Sequence, residues 1–220
     1  MTAFRKPSTV AALGLIALLL GGCASKGATT SHFDFGPLSP QAATAAAPAA
    51  VPAATSAATP AAASIGAIIV ADVTGPASLD TERMQYRLLY ADARQARPYA
   101  YNQWTVTPLQ LLTQRMKARI AQAGVKVLST TDAAASVSLL RMEVDEFTQN
   151  FDSATQSQGS ISLRASLFRS HHLIDQKTFA RSVPAPSADA AGGARALADA
   201  SDALAADVLA WLAAQPPQKE

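Results

Sequence analysis

Cysteine, histidine and long apolar runs are scarce in this chain of 220 residues. It contains one cysteine, Cys23, and three histidines, so a framework of intrachain disulfides is excluded. No apolar run reaches the ~20 residues that cross a bilayer as a helix. Charged residues make up only 15% of the chain, and the formal net charge is +2. The sequence therefore lacks the strongly basic composition that a nucleic-acid partner requires.

The N-terminus has the three-part layout of a secretory signal. Arg5 and Lys6 form a short positive region, residues 10–20 are apolar apart from Gly14, and two small residues precede Cys23. This order of charge, apolar run and small residues is typical of an export signal that is removed. We therefore predict that residues 1–22 are a signal peptide. An ordinary signal whose cysteine is incidental is the alternative.

The segment Leu20-Gly21-Gly22-Cys23 resembles the lipobox of bacterial lipoproteins. The resemblance implies a covalent diacylglycerol on the sulfur of Cys23, together with an N-acyl chain. Several acyl chains anchor a protein stably to a membrane, whereas one is marginal. Aspartate after the cysteine favours inner-membrane retention in such lipoproteins. Ala24 stands there instead, which implies an outer-membrane protein facing the periplasm.

Removal of residues 1–22 changes the charge balance. It takes away Arg5 and Lys6 and no acidic residue, which leaves 16 residues of each sign and a formally neutral chain. A neutral chain offers no electrostatic attraction for a polyanion. We therefore expect no nucleic-acid partner.

Two segments separate the cysteine from the globular part. Residues 39–64 are almost entirely Ala, Pro, Ser and Thr, and we interpret them as a linker or loop, because they cannot bury enough apolar surface to fold. Residues 33–38 contain Phe33 and Phe35 at alternate positions, which indicates a candidate first strand. If this strand pairs with the main sheet, the lipidated tether is residues 23–32. Otherwise the tether extends to about residue 64.

Residues 107–124 carry the strongest helix signal. Thr107 and Gln110 have the spacing of a capping box, Pro108 stands at the first helical position, and Gly124 supplies a C-terminal stop. Apolar residues at helical spacing form one stripe, which predicts a helix packed on a sheet. The stripe consists of Leu109, Leu112, Met116, Ile120 and Ala123.

Alternating apolar residues predict several strands and a second helix. The order indicates a single α+β domain over residues 65–215, in which two amphipathic helices pack on one face of a mostly antiparallel sheet. We expect a bulge near Leu139. The expected strands are residues 65–73, 84–90, 99–104, 125–128, 136–147, 161–167 and 173–183; residues 148–159 and 184–193 are expected loops, and residues 197–212 are the second helix.

No constellation of catalytic or metal-binding residues is evident. The sequence has no G-x-S-x-G and no H-E-x-x-H motif. His171 and His172 fall on a predicted hairpin turn without a cysteine or carboxylate at ligand spacing, so we interpret them as an exposed turn. We expect no catalytic residue, metal or bound cofactor. Arg141, Glu143 and Asp145 are expected to form a solvated charge ladder, and Arg87, Arg115 and Arg164 to be surface charges.

A series of residues between positions 84 and 116 resembles the ABC-type transport auxiliary lipoprotein family, of the paraquat-inducible protein C kind. The lipobox, residues 33–37, the Ala/Pro-rich linker and the C-terminal helix with Trp211-Leu212 fit the same pattern. Gln103 departs from it, because many relatives have arginine before the tryptophan. The matching residues are Met84, Tyr86-Arg87, Arg97-Pro98-Tyr99, Trp104, Pro108 and Leu111-Leu112.

The resemblance implies a non-catalytic role. Such lipoproteins accompany an ABC ATPase, a permease and a mammalian-cell-entry (MCE) substrate-binding protein, which move phospholipid or other hydrophobic molecules between membranes. A structural outer-membrane assembly lipoprotein with a β-barrel partner, or a lipid-binding periplasmic module, is the alternative. Aromatic residues near a surface are common interface anchors, although for Trp104 packing beneath the helix start is the favoured interpretation. The candidate partner-binding residues are Tyr99, Tyr101, Asn102, Gln103 and Trp104.

Overall fold

The computed structural model describes residues 29–38, 65–132 and 137–216. The predicted signal peptide, Cys23 and the predicted linker lie outside the described residues. The described part has α+β architecture, with eight strands and three helices around one core. The strands are β1 (Ser31–Phe33), β2 (Ala67–Val70), β3 (Arg83–Leu88), β4 (Ala93–Trp104), β5 (Lys126–Leu128), β6 (Ser138–Phe151), β7 (Ser157–Arg169) and β8 (His172–Pro184); the helices are α1 (Leu89–Asp92), α2 (Pro108–Gln122) and α3 (Ala190–Ala213).

Strand β6 is the centre of the sheet. One edge pairs antiparallel with β7 along nearly its whole length, and β7 pairs in the same way with β8. The opposite edge of β6 binds β2 near its start and β3 near its end, both parallel. β5 extends the sheet beyond β2, while β4 and β1 extend it beyond β3. The long pairings are therefore antiparallel, and the parallel ones span three residues each.

Both long helices cover the same face of the sheet. The side chains of β7 that face them are Ile161, Leu163 and Ala165, all at most 1% exposed. Helix α3 lies against β7 and β8 and also contacts α2. A large apolar surface is thereby removed from water, and this burial is the main stabilising term of such a domain.

Helix α2 forms as its local sequence predicts. The side chain of Thr107 accepts a hydrogen bond from the backbone N–H of Gln110, and Pro108 stands in the first turn. Gly124 follows the helix with φ +88°, a left-handed conformation that glycine adopts without steric cost. Leu112, Met116 and Ile120 of the predicted stripe are fully buried.

Strand β6 is longer than predicted. It continues to Phe151, so the expected loop at 148–159 is wrong; the connection to β7 is only residues 152–156. The register shift lies between Val144 and Glu146 and not near Leu139. After this bulge the strand carries Thr148, Gln149 and Asn150, all of which are buried. Because these residues are polar, the sequence shows no run of apolar residues that would predict a buried strand here.

Two further boundaries differ from the sequence prediction. β3 ends at Leu88 and a helical turn, α1, precedes β4, which begins at Ala93 and so is longer than the predicted strand at 99–104. Helix α3 begins at Ala190, within the expected loop 184–193. Its first turn contains Gly192 and Gly193, where an added Cβ would lie 2.0 Å from Ser187 O and Gln149 Oε1, respectively. Close packing requires these glycines, although glycine normally predicts a loop.

Gly159 on β7 is required by the approach of α3. A Cβ at this position would lie 2.7 Å from the backbone N of Leu197, so helix and strand would have to separate. We expect Gly159→Ala to lower the free energy of unfolding by about 1–3 kcal/mol, as measured by urea denaturation. The matched control, Ser162→Ala on the opposite face of β7, should change it by less than ~0.5 kcal/mol. Equal stability of the two variants would contradict the close contact.

Candidate functional site

The first strand attaches the N-terminal segment to β4. Ser31–Phe33 pairs parallel with residues 102–104, and the backbone N–H of Thr105 donates to Phe33 O at 2.8 Å. The strand thus lies earlier than the candidate strand at 33–38, of which only Phe33 belongs to β1. The chain that leads from Cys23 therefore enters the fold directly beside the predicted partner-binding residues.

Phe35 fixes the end of this segment in an aromatic cluster. Its ring is 8% exposed and lies 5.9 Å from the ring of Trp104 and 6.1 Å from that of Phe147, centroid to centroid. Trp104 and Phe147 are themselves 5.7 Å apart in an edge-to-face arrangement, a favourable geometry for aromatic rings. Trp104 is 2% exposed, so its ring belongs to the core and not to the surface.

A buried ionic cluster joins the N-terminal segment to both long helices. Arg115 on α2 donates through Nε to Asp202 Oδ1 on α3 at 2.7 Å. Its Nη atoms donate to the carbonyl oxygens of Gly36 and Phe35 at 3.1 and 3.3 Å. One guanidinium group thus binds three parts of the fold, using the several donors that arginine presents in a fixed plane.

Arg119 completes the cluster from one turn further along α2. Its Nε donates to Asp202 Oδ1 at 2.7 Å, and its Nη2 binds the second carboxylate oxygen. The hydrogen bond to Asp202 raises the pKa of the Arg119 guanidinium above its ordinary value. Arg115 and Arg119 are 7% and 6% exposed. The prediction that Arg115 is a surface charge is therefore wrong: two arginines four residues apart beside an apolar stripe share one helix face, and here that face is buried.

The predicted partner-binding residues lie on β4 and have different environments. Tyr99 is half-buried, and its hydroxyl donates to Gln149 Oε1 at 2.9 Å. Burial raises the pKa of this hydroxyl far above its ordinary range. Asn102 and Gln103 are half-buried next to β1. Tyr101 is 56% exposed and is the member of the set whose ring is most available to another molecule.

Gln149 connects Tyr99 to the start of α3. Besides accepting from Tyr99, it donates through Nε2 to Ser157 Oγ at 2.9 Å and to Asp189 O at 3.0 Å. The Asp189 carboxylate in turn caps α3 by accepting from the N–H of Gly192 at 2.7 Å. This hydrogen bond, followed by one from Ser187, lowers the pKa of Asp189. Because the network consists of long-range contacts, no local pattern in the sequence indicated it.

The histidines and charged residues that could form a metal or catalytic site lie apart from one another. His171 and His172 are exposed at the β7–β8 turn, where Ser170 and His171 have positive φ. Glu143 on β6 binds Arg164 on β7, and both are solvent-accessible. Within the described ranges no three His, Cys, Asp or Glu side chains are grouped as metal ligands would be. Nor does any described helix combine the length and hydropathy of a membrane span.

The Asp202 cluster yields a stability prediction. Asp202→Ala leaves two buried guanidinium groups without their carboxylate, and we expect a loss of about 3 kcal/mol in the free energy of unfolding. Asp207→Ala on the same helix is the control, because Asp207 pairs with the half-exposed Arg181 and should contribute no more than ~1 kcal/mol. Urea denaturation of both variants measures the difference. Similar losses would show that the buried cluster is no more important than a surface pair.

Comparison with solved structures identifies the fold. A Xanthomonas campestris protein of the family designated DUF330 superposes with a TM-score of 0.59 at 18% identity, covering 67% of this chain and 84% of the other. A second protein, of uncharacterised function, gives a TM-score of 0.59 at 17% identity, covering 67% and 92%. At these identities the likeness concerns the fold.

Comparison of sequences identifies the family. No curated protein matches the chain. The family model described as the ABC-type transport auxiliary lipoprotein component matches residues 48–209. That range includes β2 to β8 and most of α3. The chain therefore belongs to the ABC-type transport auxiliary lipoprotein family, as the series of residues from Met84 to Leu112 indicated.

Proposed function

We propose that this chain is a non-catalytic, lipid-anchored docking component of an MCE-type ABC transport system. In this proposal Cys23 carries a diacylglycerol and an N-acyl chain and holds the domain on the periplasmic side of the outer membrane. The domain contacts the MCE substrate-binding protein and, through it, the permease and ATPase. The system moves phospholipid or other hydrophobic molecules between the membranes. Membership of a transport auxiliary family supports this role.

The observation that carries the proposal is the position of the N-terminal junction. Seven residues separate Cys23 from Ser31, and the eight Cα–Cα steps between the two reach at most about 28 Å when fully extended. Ser31 lies beside Asn102 in the sheet, one residue from the exposed Tyr101. A lipid on Cys23 would therefore keep Tyr101 close to the membrane surface, where a docking surface for an envelope-spanning complex is needed.

The packing between sheet and helices argues against a lipid site in the core of the domain. A lipid-binding module requires an apolar cavity for acyl chains. Here the space between the sheet and the two long helices is filled by side chains that are at most 1% exposed. These side chains include Leu112, Met116, Ile120, Leu140, Met142, Leu163, Leu204 and Val208.

Lipidation is tested by replacing the cysteine. We expect Cys23→Ala to abolish incorporation of radiolabelled palmitate and to move the protein from the membrane fraction to the soluble fraction, because the acyl chains provide the anchor. Ala24→Ser is the control and should leave labelling intact. Labelling that persists in Cys23→Ala would contradict an anchor at this residue.

The partner is tested by site-specific photo-crosslinking in intact cells. A photoreactive amino acid at position 101 should capture an MCE-type protein, identified by mass spectrometry, because Tyr101 is exposed beside the anchor. The same probe at His171, exposed at the β7–β8 turn, is the control and should capture it less. Recovery of a β-barrel protein and no transporter subunit at position 101 would instead support the assembly-lipoprotein alternative.

A further inference from the structure

Strand β8 presents a long open edge. Among the described residues it is hydrogen-bonded to β7 on one side and to no strand on the other. At the other limits of the sheet, β1 and β5 have three residues each, and residues 93–101 of β4 extend beyond the cover of β1. β8, with 13 residues, is the longest edge strand among the described residues. Short edge strands resist pairing with another chain, and a long edge invites it.

The outward-facing backbone groups of this edge follow from the β7–β8 ladder. The N–H of Ala185 donates to Ser157 O at 2.8 Å, and the register is regular from there to Asp175. Antiparallel partners exchange both hydrogen bonds at every second pair, so odd-numbered residues of β8 face β7. Gln176, Thr178 and Ala180 therefore direct their N–H and C=O groups outward, and of these groups the N–H of Gln176 donates to the Asp175 carboxylate at 2.8 Å. Pro184 has the same parity and no N–H, and it limits the open edge at that end.

The charges of β8 are self-complementary in one register. A two-fold axis at Thr178, normal to the sheet, places Asp175 of each protomer opposite Arg181 of the other. It likewise places Lys177 of each protomer opposite Phe179 of the other. Moving the axis by one residue would set Lys177 against either Lys177 or Arg181 of the other copy, and like charges directly opposite are destabilising. Opposite charges in the Thr178 register therefore select it over these neighbours.

The charged side chains that would meet have partners within their own chain and can bind a second one. The Asp175 carboxylate accepts from Trp211 Nε1 at 2.7 Å and from Gln215 Nε2 at 3.0 Å, but it remains partly exposed, and a carboxylate has about four acceptor sites. Asp175, Lys177, Phe179 and Arg181 lie opposite buried residues of β7 and so belong to the helix-covered face. Arg181 is held by Asp207 through bonds of 2.6 Å but remains half-exposed, so it is accessible to a second carboxylate. On the open face the pairing would bring together uncharged residues, among them Gln176, Thr178 and Ala180.

We propose that β8 is a homodimer interface in which two copies of this chain pair antiparallel around Thr178. The outward N–H and C=O groups of Thr178 and Ala180, together with the C=O of Gln176, form the ladder, and the two Asp175–Arg181 pairs fix its register. The sheet then continues across both protomers, with the long helices of both on one face. This inference is independent of the proposed transport role, since it concerns self-association alone.

The first test is sedimentation equilibrium of the purified full chain carrying Cys23→Ala, over a wide concentration range. We expect a monomer–dimer equilibrium that Thr178→Pro weakens at least about tenfold, because proline removes an outward N–H and no bond to β7. Thr178→Val retains the N–H and is the control, with an unchanged dissociation constant. A protein that is monomeric at every concentration, or a dimer unaffected by Thr178→Pro in a folded variant, overturns the proposal.

The second test is independent of any effect of proline on folding. In the Cys23→Ala chain, Thr178→Cys places one thiol on the two-fold axis, where facing Cα atoms about 5.5 Å apart suit a disulfide. We expect mild oxidation to give a covalent dimer. Ser162→Cys, one strand inward on β7, is the control and should remain monomeric. Equal crosslinking of the two variants, or none in either, overturns the interface.

Discussion

The edge of β6 that faces away from β7 is shared between β2 and β3, and the rest of the fold is arranged around this division. β2 pairs with the first three residues of β6, and β3 pairs with the last three. β2 brings β5 to one end of the sheet, and β3 brings β4 and β1 to the other. The bulge after Val144 lies between the two halves, where added twist separates them. The second half therefore forms the platform on which the N-terminal segment is held.

The sequence predicts those elements whose signals are local. Helix α2 depends on Thr107, Pro108 and Gly124, each of which acts within one turn, and its limits follow from them. The predicted class, α+β with two helices on one face, follows from the order of such elements. The family assignment also followed from the sequence, because it rests on an ordered series of residues.

Features that depend on distant contacts were not predictable. Gln149 is buried in a strand because Tyr99, Ser157 and Asp189 satisfy its amide, and a polar residue without known partners is assigned to a loop. Position 193 of α3 requires glycine because the Gln149 amide occupies the space that a Cβ would fill. Arg115 can be buried because its guanidinium binds Asp202, which is 87 residues away in the sequence. In each case tertiary structure supplies the partner, and local propensity gives the opposite answer.

The hydrogen bonds from Arg115 to the carbonyls of Phe35 and Gly36 have a mechanical consequence. Force applied to the N-terminus reaches β1 first, and three residues of parallel ladder resist peeling weakly. Beyond that strand the load passes to the buried Phe35 ring and, through Arg115 and Asp202, to α2 and α3 together. Detaching the segment would thus require exposing an aromatic ring and breaking charge-assisted bonds at once. The core contacts of Phe35 and Arg115 therefore hold the segment more strongly than the three-residue pairing of β1 does.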